Sequence, residues 1–202
     1  MSPLMEKIFA LGRLSLEDPR KAARALLNLG IPVPARTAGL MLVAVGSALV
    51  THLGFLLTPP PDDPMMRDVM NGVMASPFRT AVLQWVVLAA SVALIFWVGR
   101  VRGGSGGFAD SLLIVVWLQL LMLVLQILQL LALVLVPPLA GIIYLGGLVV
   151  FFWLMTNFIA ELHGFKSRGA VLAGILITMF TVAFLLVVII ALVLGPEALT
   201  NV

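Results

Sequence analysis

The sequence has no cysteine, which excludes disulfides, thiolate metal sites and a cysteine nucleophile. Charge is scarce as well. Asp, Glu, Lys and Arg make up 10% of 202 residues, against about a quarter in soluble domains. Histidine is confined to His52 and His163. The longest stretch outside the apolar runs is the first 36 residues, too short to bury a core without disulfides or a metal. A separate globular enzyme domain is therefore not expected. A removable signal peptide is not expected either, because Arg13, Glu17, Asp18 and Arg20 interrupt the N-terminal apolar pattern. No internal repeat relates two halves, so one common transporter signature is missing.

Apolar residues take the place of charge, at 62% of the chain with a mean hydropathy of +1.18. Five charge-free runs dominate: 37–57, 80–99, 111–136, 139–160 and 170–194. At about 1.5 Å of rise per residue, roughly 20 residues cross a hydrocarbon core about 30 Å thick, and every run reaches that length. The expected fold is an all-α integral membrane protein, a bundle of five transmembrane helices preceded by N-terminal interfacial amphipathic helices. Its parts are residues 1–35, the five-span domain 36–196 and a short external tail 197–202.

The pI near 10 could suggest nucleic acid, but the net charge is only +3 and its placement points elsewhere. Lys7, Arg13, Arg20, Lys21, Arg24, Arg36, Arg100, Arg102, Lys166 and Arg168 fall on one side of a five-span chain. Only Arg67 and Arg79 fall on the other, with Asp62, Asp63, Asp68 and Glu197. Such a bias predicts an N-terminus inside and a C-terminus outside, in a cytoplasmic membrane. The expected partners are the lipid bilayer, anionic lipids at the cytoplasmic face and a membrane protein or second copy, not nucleic acid.

Residues 1–35 read as two short helices on the membrane surface. Leu4, Ile8 and Leu11 recur at helical spacing in the first. In the second, Asp18 caps, Pro19 fits the first turn, and Gly30 with Pro32 ends the element. Arg20, Lys21 and Arg24 beside Leu26, Leu27 and Leu29 suit an interfacial helix on anionic lipid. In the outer loop, Asp63 and Pro64 open a helix with Met66, Met70 and Met74 on one stripe. Thioethers so spaced, with His52 nearby, could ligate Cu(I). The same stripe is what a helix lying on lipid needs, so no cofactor is assigned. Ser76 and Pro77 should cap and start the second span, and the glycines of 103–107 should form a flexible turn.

Two polar groupings inside the apolar runs are the candidate sites. Gln119 and Gln126 nearly coincide around the third span, and Gln129 lies about 80° away. An amide in hydrocarbon is costly without a hydrogen bond, so this face should meet another helix or a partner. A transport path along the three glutamines is the alternative. The second grouping is the exit of the fourth span. Asn157 and Glu161 share a face at i, i+4, His163 follows, and Asp110, Lys166 and Arg168 lie on the same side. A carboxylate near a histidine could serve acid/base chemistry, but a charge network pinning helix ends, with Glu161 paired to Arg or Lys, is the expected use. No catalytic residue is assigned. Small residues at four-residue spacing, Ala44 and Ala48, Ala89 and Ala93, and Ala170, Gly174 and Thr178, allow close helix approach.

Several segments resemble small bacterial members of the Yip domain family, whose eukaryotic relatives were named for interacting with Ypt/Rab GTPases. They are Asp18-Pro-Arg-Lys-Ala-Ala-Arg24, Gly106-Gly-Phe-Ala-Asp-Ser111, Trp117-Leu-Gln119, Gln126-Ile-Leu-Gln129, Pro137-Pro-Leu-Ala-Gly141 and Asn157-Phe-Ile-Ala-Glu-Leu-His-Gly-Phe165. The resemblance implies a five-span bundle with the N-terminus inside. For eukaryotic members it implies roles in membrane traffic, vesicle formation and membrane shaping through partner proteins, without an assigned catalytic centre. It leads to the expectation of a non-enzymatic protein that organises membrane or partner complexes, including as an accessory subunit of a larger assembly.

Overall fold

A computed structural model describes residues 3–74 and 76–194. The tail 197–202 lies outside the described residues. Among those described, the chain forms α-helices and no strands. They are α1 (Pro3–Glu17), α2 (Pro19–Leu27), α3 (Val33–Leu57), α4 (Pro64–Met74), α5 (Pro77–Val101), α6 (Phe108–Leu135), α7 (Pro137–His163) and α8 (Arg168–Leu194). Proline opens α1, α2, α4, α5 and α7, where its missing N–H would have no intrahelical partner. Asp18 accepts from the Lys21 N–H at 3.1 Å and Asp63 from the Met65 N–H at 2.8 Å, each capping its helix as expected. Ser76 precedes α5 without a side-chain cap; its carbonyl accepts from Thr80 instead.

Five helices, α3, α5, α6, α7 and α8, are long and apolar enough to cross a membrane. Their outer surfaces could not face water. Leu42 is 71% exposed, Val149 69% and Phe180 74%, and each apolar Å² left in water costs roughly 25 cal/mol. Lipid removes that penalty.

The chain divides into two units, residues 1–165 and 166–202. In the first, α6 is the central element, packed by α3, α5 and α7. Its opening third is buried from Ser111 to Val115 and again at Trp117 and Leu118. One core joins α2, α6 and α7 through Ala22, Ala23, Leu26, Trp117, Leu154 and Phe158. The other joins α3, α5 and α6 through Val43, Ala44, Leu88, Val92 and Val115. In the second unit, α8 opens at Arg168, where the Ala170 N–H donates to Ser167 Oγ at 3.2 Å.

Glycine sets the α3–α6 approach. A Cβ built at Gly39 would stand 2.9 Å from Val116 Cγ1, and one at Gly46 would stand 3.0 Å from Leu123 Cδ2. Both pairs recur after seven residues, the repeat of two parallel helices packed at a shallow angle. The opposite side of α3 buries Ala44 and Ala48 to 1% exposure each, so α3 meets a neighbour through small residues on two faces.

The apolar face of α2 packs on the bundle. Ala22 and Ala23 are fully buried and Leu26 is 2% exposed, all within the α2–α6–α7 core. An amphipathic pattern requires only that its apolar face leave water, and here protein covers it rather than lipid. On α1, Leu11 and Leu14 pack on the same core, while Ile8 is exposed along with Phe9 and Leu16. The side chain of Leu4 lies outside the described ones.

Candidate functional site

The unit comprising residues 1–165 has a basic end, where α3 and α6 start and α5 and α7 finish, and an opposite end marked by Pro59 to Pro61 and Pro137. At the basic end the charged residues form two separate clusters. Glu161, on the last turn of α7, accepts from Arg24 of α2 at 2.7 Å and lies 3.9 Å from Arg20 Nε. Arg20 also donates to the Phe165 carbonyl. The Glu161 side chain is only 16% exposed; a carboxylate at that burial is costly unless cations face it. Two arginines, both expected at the lipid surface, therefore reach inward to α7. Lys21 instead pairs with Asp18 at 3.1 Å and keeps 72% of its side chain exposed.

Asp110 belongs to the other cluster. It accepts from Arg36 Nη1 at 2.9 Å, while the same guanidinium donates to the carbonyls of Ile31 and Ala109. Arg36 is 9% exposed and ties the approach to α3 onto the first turn of α6. In the sequence Arg36 reads only as a topology signal. Asn157 does not join Glu161, since its amide donates to Trp153 of its own helix at 2.8 Å. Lys166 and Arg168 belong to the second unit.

His163 stands apart from Glu161 in role. It is 3% exposed, accepts the Gly106 N–H at Nδ1 (3.2 Å) and has Nε2 3.1 Å from the Ile95 carbonyl. An acceptor Nδ1 puts the proton on Nε2, which donates to Ile95. Space for the ring comes from glycine. A Cβ at Gly99 would fall 2.1 Å from Nε2, and one at Gly104 2.5 Å from Nδ1. The glycine turn, expected to be flexible, is thus packed, with Gly104 and Gly106 buried against the imidazole. Only Gly103 in that turn needs a positive φ, at 83°. Phe165 stacks on the same ring with centroids 5.5 Å apart.

A further buried contact joins α1 to α6. Trp117 Nε1 donates to Ser15 Oγ at 3.0 Å, and Ser15 in turn donates to the Leu11 carbonyl at 2.8 Å. Ser15 is fully buried. A serine between Leu14 and Leu16, set against the rule that a buried indole N–H finds a partner, is the clue that could have found it.

Gln119, Gln126 and Gln129 line one groove, walled by Gln84 of α5 and by Tyr144, Gly147 and Phe151 of α7. Their expected common face is therefore real, and its described walls come from α5 and α7. The Gln126 Oε1 is buried with no hydrogen-bond partner. Toward the basic end the α6–α7 seam is filled by Trp117, Leu118, Leu154 and Phe158. On α4, Met66 is exposed, and Met74 Sδ lies 3.9 Å from Thr80 Oγ1. Among the described residues no three His, Cys, Asp or Glu side chains gather as metal ligands.

No curated protein and no solved structure matches the chain. A family model described as the Yip1 domain matches residues 14–191, a range that takes in α2, the Glu161–Arg24 contact, the glycine cradle of His163 and the glutamine groove. A match over most of the chain, whose described residues include five helices long and apolar enough to cross a membrane, shows that this multi-pass membrane protein belongs to the Yip1 domain family.

Proposed function

We propose that the protein is a non-enzymatic organiser of membrane or partner complexes in the bacterial cytoplasmic membrane, its basic end facing the cytoplasm, including as an accessory subunit of a larger assembly. The observation that carries this reading is how Glu161 and His163 are used. The carboxylate is held between Arg20 and Arg24, and both ring nitrogens are engaged by backbone groups. The groups best suited to acid/base work are committed to holding α2 and the glycine turn. The surfaces left for partners are the outer face of α1, where Phe9 is 62% and Leu16 58% exposed, and the glutamine groove.

Cross-linking in native membranes, followed by gentle solubilisation and mass spectrometry, tests the proposal. Recurrent cross-links from α1 to one membrane protein, lost in a Phe9→Ser, Leu16→Ser variant that stays folded, are expected. A stable Glu161→Gln, His163→Ala double variant that has lost a defined turnover would contradict it and favour an enzyme. Substrate flux in reconstituted vesicles, abolished by Gln119→Leu, would favour transport instead.

A further inference from the structure

We propose that the basic end of α5 holds one anionic phospholipid, with its phosphate on Arg100 and Arg102 and an acyl chain along the outward face of the helix. The first argument is which cations at this end lack a partner. Arg13 pairs with Glu17, Lys21 with Asp18, Arg20 and Arg24 with Glu161, and Arg36 with Asp110. The α2 residues that the sequence offers to lipid are therefore engaged within the protein. Arg100 and Arg102 are exposed and have no carboxylate partner among the described residues. Guanidinium groups bind phosphate through paired N–H donors. The turn that follows is packed, since Gly104 and Gly106 lie against His163, so the backbone carrying both arginines is in place before a ligand arrives.

Orientation is the second argument. Gly99 is buried against the His163 ring. Two residues along a helix turn by about 200°, so Trp97 and Val101 each lie about 160° round α5 from Gly99 and point away from the bundle. Trp97 is 64% exposed and Val101 85%. Leu83, Val86 and Ala90 continue the same face at helical spacing and are exposed too. An apolar strip in the hydrocarbon thus runs up to two unpaired cations. A free anion or an acidic soluble protein would meet the arginines and leave the strip uncovered. A partner helix would cover the strip and would need an acidic residue at that one level, whereas an anionic lipid carries both chemistries in that order.

Level is the third. With 25 residues, α5 is about 38 Å long and overhangs a hydrocarbon core of about 30 Å by about 4 Å at each end. Trp97 precedes Val101 by four residues and so lies about 6 Å from the helix end, within about 2 Å of the hydrocarbon boundary, where indoles collect. Arg100 and Arg102 stand beyond that boundary, at the height of lipid phosphates. Phe96 packs edge-on against Trp97 with centroids 5.2 Å apart and against Phe108 at 5.7 Å. Those contacts hold the indole beneath the arginines, beside the first carbons of a chain.

The test is independent of which protein partner the chain has. Full-length protein in mild detergent is offered dioleoylphosphatidylglycerol or the zwitterionic dioleoylphosphatidylcholine, and bound lipid is counted by native mass spectrometry. One phosphatidylglycerol per chain is expected, retained about 25-fold better than phosphatidylcholine at about fivefold per arginine. Arg100→Gln should lower that preference about fivefold, and adding Arg102→Gln should abolish it. Trp97→Ala should weaken retention of both lipids while leaving the preference, and Lys21→Gln, at a cation already paired with Asp18, should change nothing. Equal retention of the two lipids by the wild-type protein overturns the proposal, as does a loss in Lys21→Gln equal to that in Arg100→Gln. Displacement of the lipid by excess ammonium phosphate overturns it in favour of a free-anion site. A polypeptide released by the double arginine variant, with no lipid preference in the wild type, overturns it in favour of an acidic protein.

Discussion

Glu161, at the end of α7, holds Arg24 of α2 at 2.7 Å across 137 residues of sequence. The contact adds to the docking of α2, which buries Ala22, Ala23 and Leu26 in one core with α6 and α7.

Glu161→Gln should loosen α2 without unfolding the bundle. Arg24 keeps 66% of its side chain exposed, so solvent screening limits the pair to about 1 kcal/mol. Hydrogen exchange across residues 19–27 should accelerate about fivefold, while the α3–α6 seam stays protected. A charge swap, Glu161→Arg with Arg24→Glu, should recover part of the protection.

At the glycine cradle, Gly99→Ala should destabilise by about 1–3 kcal/mol, since its methyl group would occupy space held by the His163 ring. His163→Ala in the same chain removes the clash. The double variant should therefore lose much less than the sum of the two single losses, read as unfolding midpoints in a double-mutant cycle.

The α3–α6 seam makes a parallel prediction with different chemistry. Gly39→Ala drives a methyl to 2.9 Å from Cγ1 of Val116, a β-branched side chain that has one preferred rotamer in a helix and cannot swing away. A loss of about 1–3 kcal/mol is expected, recovered in part by Val116→Ala. Gly141, whose added Cβ would meet nothing within 4 Å, should tolerate alanine with an unchanged midpoint.

Ser15→Ala should leave the buried Trp117 N–H without its acceptor and cost about 1–3 kcal/mol. Trp117→Phe in the Ser15→Ala background removes the orphaned donor and should return part of that loss beyond the effect of the smaller ring. Chemical denaturation of the four combinations gives the coupling directly.

Five membrane-crossing helices were legible because each needs only a run of about 20 apolar residues, a property local to the chain. The Asp18 and Asp63 caps were legible for the same reason, since a cap and its helix lie within three residues of each other. The basic end was legible in kind but not in pairing. Topology predicted an Arg or Lys partner for Glu161, yet nothing local chooses Arg24 over Arg100, because that choice follows from how α2 lands on the bundle. The same limit explains α2 itself, whose apolar stripe has no means of specifying protein over lipid. Glycines 104 and 106 read as slack because only the tertiary fold brings His163 into the turn. For the glutamines, the angles around α6 were available from sequence, but the walls from Gln84 and Tyr144 depend on the placement of α5 and α7.

The absence of cysteine makes one measurement especially clean for the central claim of a multi-pass protein whose basic end faces the cytoplasm. Single substitutions Ser105→Cys, in the turn between α5 and α6, and Asp62→Cys, between α3 and α4, are probed in intact cells with a membrane-impermeant maleimide. The account predicts labelling at position 62 from outside, and labelling at position 105 only after the membrane is opened. Labelling at 105 in intact cells, with 62 protected until permeabilisation, would contradict it.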